Sequence, residues 1–342
     1  MSPSRRSLLA AGGALGAGAL LAACGDESDD NEGANADGDA QGQPGGGGWS
    51  FTDDRGETVE LDAAPSNIVA FVSSAAALHD YGIECVGIFG PSSPVDGEPN
   101  PQAGDLDVSR LTSVGEAWGE FSIEKYAQLE PDLLISNMFP PPDLWFVPEE
   151  ARDEIFGLAP AIGITGARVS LLEPIARYAE LAEALGADLS ATAVTEARSR
   201  FEAAAESLRR AARDNPGIKV MAVSADDENL YVAVPDSYTD LHYFKDLGVG
   251  VVEGRQVDEW GFWEFLSWEN ADKYHADIIL LDNRAQALRP EDLARKPTWA
   301  RLPAVAAGRV VPWSMEERYS HAGYAPILEQ LSDTISNAEQ LG

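Results

Sequence analysis

Short apolar runs alternate with amphipathic stretches along most of the chain. Phe51 to Leu61 has alternating apolar positions around a Gly-containing turn and predicts a β-hairpin. Ile68 to Val72 and Cys85 to Phe89 are continuous apolar runs of strand length. Between them lies a stretch of small residues with Leu78 on its apolar side, and it predicts a helix that ends at Gly82. Strand, helix and strand in succession predict parallel pairing and an α/β lobe.

An internal repeat indicates that this construction occurs twice. Ser122 to Ser136 and Ser267 to Leu281 align without a gap. Their first serines coincide, the acids Glu124 and Glu269 coincide, and in both copies an aspartate comes just before an apolar run. Each copy predicts a serine-capped short helix, a turn and a fully buried strand. The repeat favours two lobes of similar construction.

Helical periodicity between the two copies predicts how the lobes are connected. It extends over 170–187, and a second helical pattern follows around Phe201. We therefore predict an α/β fold with two Rossmann-like lobes, whose mostly parallel sheets are joined by a single long helix. The predicted N-terminal lobe is 49–169, the linking helix is 170–187, and the C-terminal lobe is 188–342.

The first 48 residues have a different character. A pair of arginines and an apolar stretch predict a signal peptide over 1–23, and LAAC at its end resembles the lipobox of bacterial lipoproteins. That resemblance implies cleavage before Cys24, lipidation of this residue and attachment to the outer face of the cell membrane. The alternative is an ordinary secretory peptide in which Cys24 is accidental. The pair Arg5-Arg6 resembles a twin-arginine export signal. The acidic, Gly-rich segment 24–48 predicts a disordered leash.

Charge and residue counts exclude several classes of function. The chain has 57 acidic and 24 basic side chains, a formal net charge of −33. This imbalance excludes nucleic acid and anionic lipid as partners. Two cysteines cannot form a disulfide framework. The candidate metal-ligating histidines, His79 and His275, have no other histidine at ligand spacing. No hydrolase motif is present, and adjacent acids such as Glu316 and Glu317 point apart on a regular element.

Several short motifs, in this order and spacing, resemble one family. They are TDDRG at 52–56, Pro65, GIECVG at 82–87, Glu124 with PDLLI at 131–135, and WARLPAVAAGRV at 299–310. The chain resembles the substrate-binding lipoproteins of ABC importers for iron siderophores and cobalamin. The resemblance implies a non-enzymatic monomer that carries a small-molecule iron chelate to a permease with its ATPase and needs no cofactor of its own.

The resemblance also implies a docking role for Glu124 and Glu269, one acid on each lobe that would enter basic pockets of the permease. The alternative explanation is local, because a carboxylate in the first turn of a helix gains about 0.3–1 kcal/mol from the helix dipole. The two roles are compatible with each other.

Aromatic residues are frequent in the segments expected to reach an interlobe cleft. The candidates for ligand contact are Trp118, Met138, Phe139, Tyr231, Trp260, Phe262, Trp263, Arg284, Arg318 and Tyr319. Ordinary core packing is the alternative for each aromatic ring. Hydroxamate binders of the family carry an arginine near the position of Trp118, and this chain has none there, so Arg284 and Arg318 are the candidate substitutes.

The acidity of the chain favours neutral or cationic ferric hydroxamates over polyanionic chelates. We expect no direct metal site in the protein. Haem or cobalamin, with Tyr231, Tyr319 or a histidine as axial ligand, is an alternative ligand. A secreted lipoprotein hydrolase and a surface adhesion or signalling module are the alternatives of a different class.

Overall fold

The computed structural model describes residues 48–95 and 97–341. The expected signal peptide, Cys24 and all of the expected leash except Gly48 lie outside the described residues. None of the described helices is long and apolar enough to cross a bilayer.

The first lobe is built on a five-stranded parallel sheet of order β5-β4-β3-β6-β7, with a β1-β2 hairpin beside it. Its elements in chain order are β1 (Trp49–Thr52), β2 (Thr58–Leu61), β3 (Ile68–Phe71), α1 (Val72–Asp80), β4 (Gly87–Phe89), β5 (Thr112–Ser113), α2 (Ile123–Gln128), β6 (Leu133–Met138), α3 (Arg152–Leu158), β7 (Ala161–Thr165) and α4 (Leu172–Ala184).

The second lobe follows a long helix, α5 (Thr192–Asp214). Its elements are β8 (Lys219–Ala225), β9 (Asn229–Ala233), α6 (Thr239–Asp246), β10 (Gly250–Val251), β11 (Trp263–Ser267), β12 (Ile278–Asp282), α7 (Pro290–Leu293), α8 (Pro297–Arg301), α9 (Pro303–Ala306), β13 (Val310–Trp313) and α10 (His321–Ser336). The sheet order is β11-β9-β8-β12-β13, with β10 also paired to β8. Pairing is parallel except along β9, which is antiparallel to both of its neighbours. The predicted two-lobed α/β class is confirmed.

The single long helix is α5, which has 23 residues and packs along α10. The segment 170–187, where we expected the linking helix, forms the shorter α4, which contacts β1, β7 and α1 of the first lobe. Ser170 does not cap this helix, because its hydroxyl donates to Asp246 Oδ2 at 2.9 Å. The predicted domain boundaries stay predictions.

The internal repeat is visible in the equivalent roles of Asp132 and Asp277. Asp132 Oδ2 accepts the backbone N–H of Asn67 at 2.9 Å, just before β3. Asp277 Oδ2 accepts the backbone N–H of Lys219 at 2.7 Å, at the start of β8. Each aspartate therefore fastens the strand that follows it, β6 or β12, to the neighbouring central strand of its sheet, β3 or β8.

The two copies differ before that aspartate. Ser122 Oγ accepts the backbone N–H of Lys125 at 3.3 Å and caps α2, as expected. Ser267 caps no helix, because only a single 3₁₀ turn, Trp268–Asn270, follows it. The prediction of a capped helix in the second copy is therefore wrong. The other 3₁₀ turns are Pro101–Ala103, Val108–Arg110, Glu149–Ala151 and Pro235–Ser237.

One apolar core is continuous across both lobes. It includes Ile68 of the first sheet, Val220 of the second sheet, Tyr178 of α4 and Tyr324 of α10, all of them buried. Because apolar burial is the main favourable term in folding, the two lobes stabilise each other instead of folding around separate cores only.

Candidate functional site

A cleft of about 490 Å³ lies between the two lobes. Many of its lining residues, among them Phe139, Arg284 and Met315, follow the carboxyl ends of β6, β12 and β13, which is where parallel α/β sheets place their ligands. The first lobe contributes Trp118, Phe139, Pro140, Asp143, Leu144, Trp145, Val147, Glu149 and Arg152. The second contributes Tyr238, Asp258, Trp260, Phe262, Trp263, Arg284, Met315 and Glu316. The volume is within the range of sites for drug-sized ligands.

The first-lobe wall is an aromatic cluster. Trp118 is 63% exposed. The centroid of its ring lies 4.9 Å from that of Trp145 and 5.3 Å from that of Phe146. Phe139 meets Trp145 at 5.7 Å. The backbone N–H of Trp145 donates to Asn137 O at 2.8 Å, so the segment after β6 folds back onto the strand and presents these rings to the cleft.

The second-lobe wall is held by a turn around Asp258. Its Oδ1 accepts the backbone N–H groups of Phe262 at 2.8 Å and Trp263 at 3.2 Å. Within this turn Trp260 is 59% exposed, and its carbonyl accepts Arg168 Nη2 at 2.6 Å. The turn therefore fixes the backbone of Trp260 while leaving its ring free to contact a ligand.

Tyr238 is the centre of the aromatic packing behind this turn. Its ring lies 5.4 Å from Phe262, 5.3 Å from Trp263 and 5.1 Å from Trp313 between centroids. Edge-to-face pairs of this kind stabilise by about 0.5–1.5 kcal/mol each beyond the apolar area they bury. Phe262 and Trp263 therefore line the cleft and also pack against the core.

An ionic group joins the two walls. The Arg284 guanidinium donates to Asp282 Oδ2 at 2.9 Å and also to Glu316 Oε1. Glu316 Oε2 accepts Gln102 Nε2 at 2.6 Å and Trp145 Nε1 at 3.1 Å, both from the first lobe. Burial alone lowers the pKa of Arg284, but the two carboxylates raise it well above its ordinary value. Arg284 is therefore always charged, and its charge is compensated inside the protein.

Of the ten residues predicted for ligand contact, the structure brings six together in the cleft lining: Trp118, Phe139, Trp260, Phe262, Trp263 and Arg284. Met138 is fully buried in the core of the first lobe, beneath the cleft wall. Tyr231 lies on β9, away from the lining, and its hydroxyl is bound to Asp226.

Arg318 and Tyr319 are also outside the cleft lining. Arg318 is buried against Asp80 and Glu317, and its role is an ionic contact between the lobes. The Tyr319 hydroxyl donates to Gly166 O at 2.8 Å. Both residues, which the sequence predicts as ligand contacts, pack inside the lobe junction and do not line the cleft.

The two acids predicted to dock the permease are both exposed. Glu124 is in the first turn of α2, and Glu269 is in the 3₁₀ turn that follows β11. Their docking role stays a prediction.

Eleven lining residues are not among those predicted from the sequence, and they include Trp145, Tyr238, Met315 and Glu316. Trp145 could be predicted from the sequence, since it belongs to the same segment after β6 as Phe139. In the sequence, Glu316 stands out only as half of an acidic pair with Glu317. The structure separates the two acids, because Glu316 faces the cleft and Glu317 pairs with Arg318.

Within 48–95 and 97–341, no three His, Cys, Asp or Glu side chains come together in a way that could hold a metal ion. Cys85 is a buried free thiol, and burial raises its pKa to about 12.

Two α/β lobes with an aromatic cleft between them define a bilobed ligand-binding protein. The chain matches the Periplasmic binding protein family over residues 74–316 and belongs to that family. This confirms the family expected from the sequence motifs. No curated protein sequence matches the chain significantly.

Among solved structures, the chain is similar to DesE, a ferric-siderophore receptor protein from Streptomyces coelicolor. The two are 47% identical over 86% of this chain and 100% of that one, with a TM-score of 0.83. The siderophore periplasmic binding protein from the fuscachelin gene cluster of Thermobifida fusca is 24% identical over 80% and 97% of the chains, with a TM-score of 0.57. The triscatecholate siderophore binding protein FeuA from Bacillus subtilis is 16% identical over 84% and 98%, with a TM-score of 0.61. The last two likenesses concern the fold alone.

Proposed function

We propose that this chain is the extracytoplasmic substrate-binding component of an ABC importer and captures a ferric siderophore between its two lobes. The observation that carries the proposal is 47% identity along the whole length of a ferric-siderophore receptor. The aromatic cleft of about 490 Å³ supports it, because broad rings suit a bulky chelate that presents an organic surface around its metal.

The preferred ligand class is a neutral or cationic chelate of the hydroxamate type. Both arginines of the cleft lining are paired with carboxylates: Arg284 with Asp282 and Glu316, and Arg152 with Asp143 at 2.7 Å. A polyanionic tris-catecholate would therefore meet no uncompensated positive charge in the lining, while a neutral tris-hydroxamate needs none. The acidic excess of the chain also disfavours binding of a polyanionic chelate.

Membrane attachment and delivery complete the proposal. Lipidation of Cys24, after export by the twin-arginine or the general route, would hold the monomer at the outer face of the membrane, with the leash setting its reach. Glu124 and Glu269, exposed on different lobes, would then dock the loaded protein onto the permease.

Haem and cobalamin receive less support. Of the axial ligands considered, Tyr231 is bound to Asp226 and Tyr319 to Gly166, and neither lines the cleft. The described cleft lining includes no histidine. The site does not support a hydrolase either. The Glu316 carboxylate forms an ion pair with Arg284 and is not free to act on a substrate.

Binding of a ligand panel to the purified full chain tests the proposal. A ferric tris-hydroxamate, a ferric tris-catecholate, haem and cobalamin are titrated while the fluorescence of the eight tryptophans is followed, and native mass spectrometry gives the stoichiometry. We expect one ferric tris-hydroxamate per chain with micromolar affinity or better. Absence of binding by every ferric chelate at micromolar concentration would refute the proposal.

A further inference from the structure

Arg284 occupies an unusual place for a cleft residue. Its side chain is 12% exposed and lies between Asp282, which is fully buried, and Glu316, which is 4% exposed. Asp282 is also bound by Ser224, whose hydroxyl donates to Asp282 Oδ2 at 2.7 Å. Asp282 is therefore fixed within its own lobe, whereas Glu316 lines the cleft.

Two carboxylates around one guanidinium leave a net negative group. The rest of the lining is also net negative. Asp143 compensates Arg152, while Glu149 and Asp258 have no basic partner in the lining. The charges of Arg284, Asp282 and Glu316 are almost fully buried, so they act over several ångströms with little screening. With Glu316 in place the group around Arg284 is net negative, and without Glu316 it would be neutral.

We propose that Glu316 is a specificity-determining residue that keeps the group around Arg284 net negative and so makes the cleft select neutral and cationic chelates against anionic ones. The proposal rests on the proposed function and deepens it by assigning charge selection to one side chain. Glu316 suits this role because it touches both walls: Gln102 and Trp145 hold its Oε2, and Oε1 is left for Arg284.

The consequence of removing this charge follows from the geometry. In Glu316→Gln the side chain keeps its shape, but Arg284 retains Asp282 as its single carboxylate partner among those described. The local charge changes by one unit toward positive. A chelate whose metal centre carries negative charge should then bind more tightly, and at an effective dielectric constant near 20 the gain is about tenfold or more.

The experiment compares two ferric chelates on matched variants of the full chain. A ferric tris-hydroxamate has a neutral metal centre, and a ferric tris-catecholate has an anionic one. Glu316→Gln is the test, and Glu149→Gln is the control, because Glu149 lines the same cleft, carries the same charge and has no contact with Arg284. Affinities are measured by isothermal titration calorimetry, and melting temperatures confirm that each variant is folded.

We expect Glu316→Gln to raise the affinity for the tris-catecholate by about tenfold without a comparable gain for the tris-hydroxamate. Glu149→Gln should change the ratio of the two affinities much less, because Glu149 is exposed and water and salt screen its charge. The double variant Arg284→Gln/Glu316→Gln should lose the gain, since the negative charge of Asp282 then remains without a cationic partner and the group is net negative again. An equal effect in the Glu149 control, or no change of the ratio in Glu316→Gln, would overturn the proposal.

A measurement on the unmodified chain keeps the proposal falsifiable if Glu316→Gln does not fold. The unmodified chain should bind the tris-hydroxamate at least tenfold more tightly than the tris-catecholate. Equal affinity for both would overturn charge selection while leaving the ferric-siderophore function intact. Failure to bind either chelate would refute the function itself, so the two failures are distinguishable.

Discussion

Arg318 of the second lobe reaches into the first lobe and donates from Nε to Asp80 Oδ2 at 2.7 Å. The Arg318 side chain packs closely against two glycines, Gly104 and Gly323. A Cβ on Gly104 would lie 2.3 Å from its Nη1, and a Cβ on Gly323 would lie 2.7 Å from its Cγ. This contact, outside the lining of the ligand cleft, is an ionic lock at the lobe junction.

Removing the lock should cost substantial stability. Arg318→Met leaves Asp80 and Glu317 buried without their cationic partner, so we expect the free energy of unfolding to fall by about 3–5 kcal/mol. The control is Arg200→Met, which removes the exposed pair with Glu329 and should cost less than about 1 kcal/mol. Urea denaturation measures both values. Equal losses in the two variants would contradict the proposed lock.

Glu317 should make stability depend on pH. Burial raises its pKa to about 7 from an ordinary value of 4.5, although the neighbouring Arg318 opposes the shift. The folded protein therefore holds a proton that the unfolded chain releases. The resulting stabilisation is complete below about pH 4.5 and is lost as the pH rises through about 7.

Glu317→Gln removes this titration and keeps an acceptor for Arg318. We expect the unmodified chain to lose on the order of 2 kcal/mol more than the variant between about pH 5 and about pH 8. Asp240, whose pKa burial raises to about 6, titrates in both proteins and cancels in the comparison. Parallel stability curves for the two proteins would show that Glu317 does not titrate in this range.

Trp260 should contribute directly to ligand affinity. Its exposed ring lines the cleft on a turn whose backbone is fixed, so Trp260→Ala should weaken binding of the tris-hydroxamate by about 10–100-fold. Phe265→Ala is the matched control, because Phe265 is an exposed aromatic residue of the same lobe outside the cleft lining. Calorimetry avoids the altered tryptophan fluorescence. Unchanged affinity in Trp260→Ala would remove this residue from the site.

The docking acids should be required for import and not for binding. Reversing both charges, in Glu124→Arg/Glu269→Arg, should abolish uptake of labelled chelate by cells that rely on this protein, while affinity in solution is unchanged. Reversal at two other exposed acids, Glu60 and Glu228, is the control and should preserve uptake. Normal uptake by the first double variant would favour a purely local role for Glu124 and Glu269 at their turns.

The sequence predicts the fold well because the relevant signals are local or repeated. Apolar runs over Ile68 to Val72 and over 278–280 coincide with central strands, and the repeated aspartates at 132 and 277 fasten equivalent strands. Helix length is less predictable. The pattern over 170–187 and the one around Phe201 are both amphipathic, and tertiary contacts decide which helix is the long one.

The site is only partly predictable for the same physical reason. Exposed aromatic residues in turns, such as Trp118 and Trp260, are recognisable because nothing local explains them. Arg318 and Tyr319 are also predicted to contact the ligand, but their polar groups are satisfied by partners on the other lobe, Asp80 and Gly166. Such partners are more than a hundred residues away in the chain, so local patterns carry no trace of them.

The position of iron in the loaded protein tests the central claim most directly. Crystals of the complex with a ferric tris-hydroxamate are measured at the iron absorption edge, where anomalous scattering locates the metal. We predict one strong peak in the interlobe cleft, between the rings of Trp118 and Trp260 and on the cleft side of Arg284. An iron peak on the outer surface of either lobe, with the cleft free of chelate, would contradict the account.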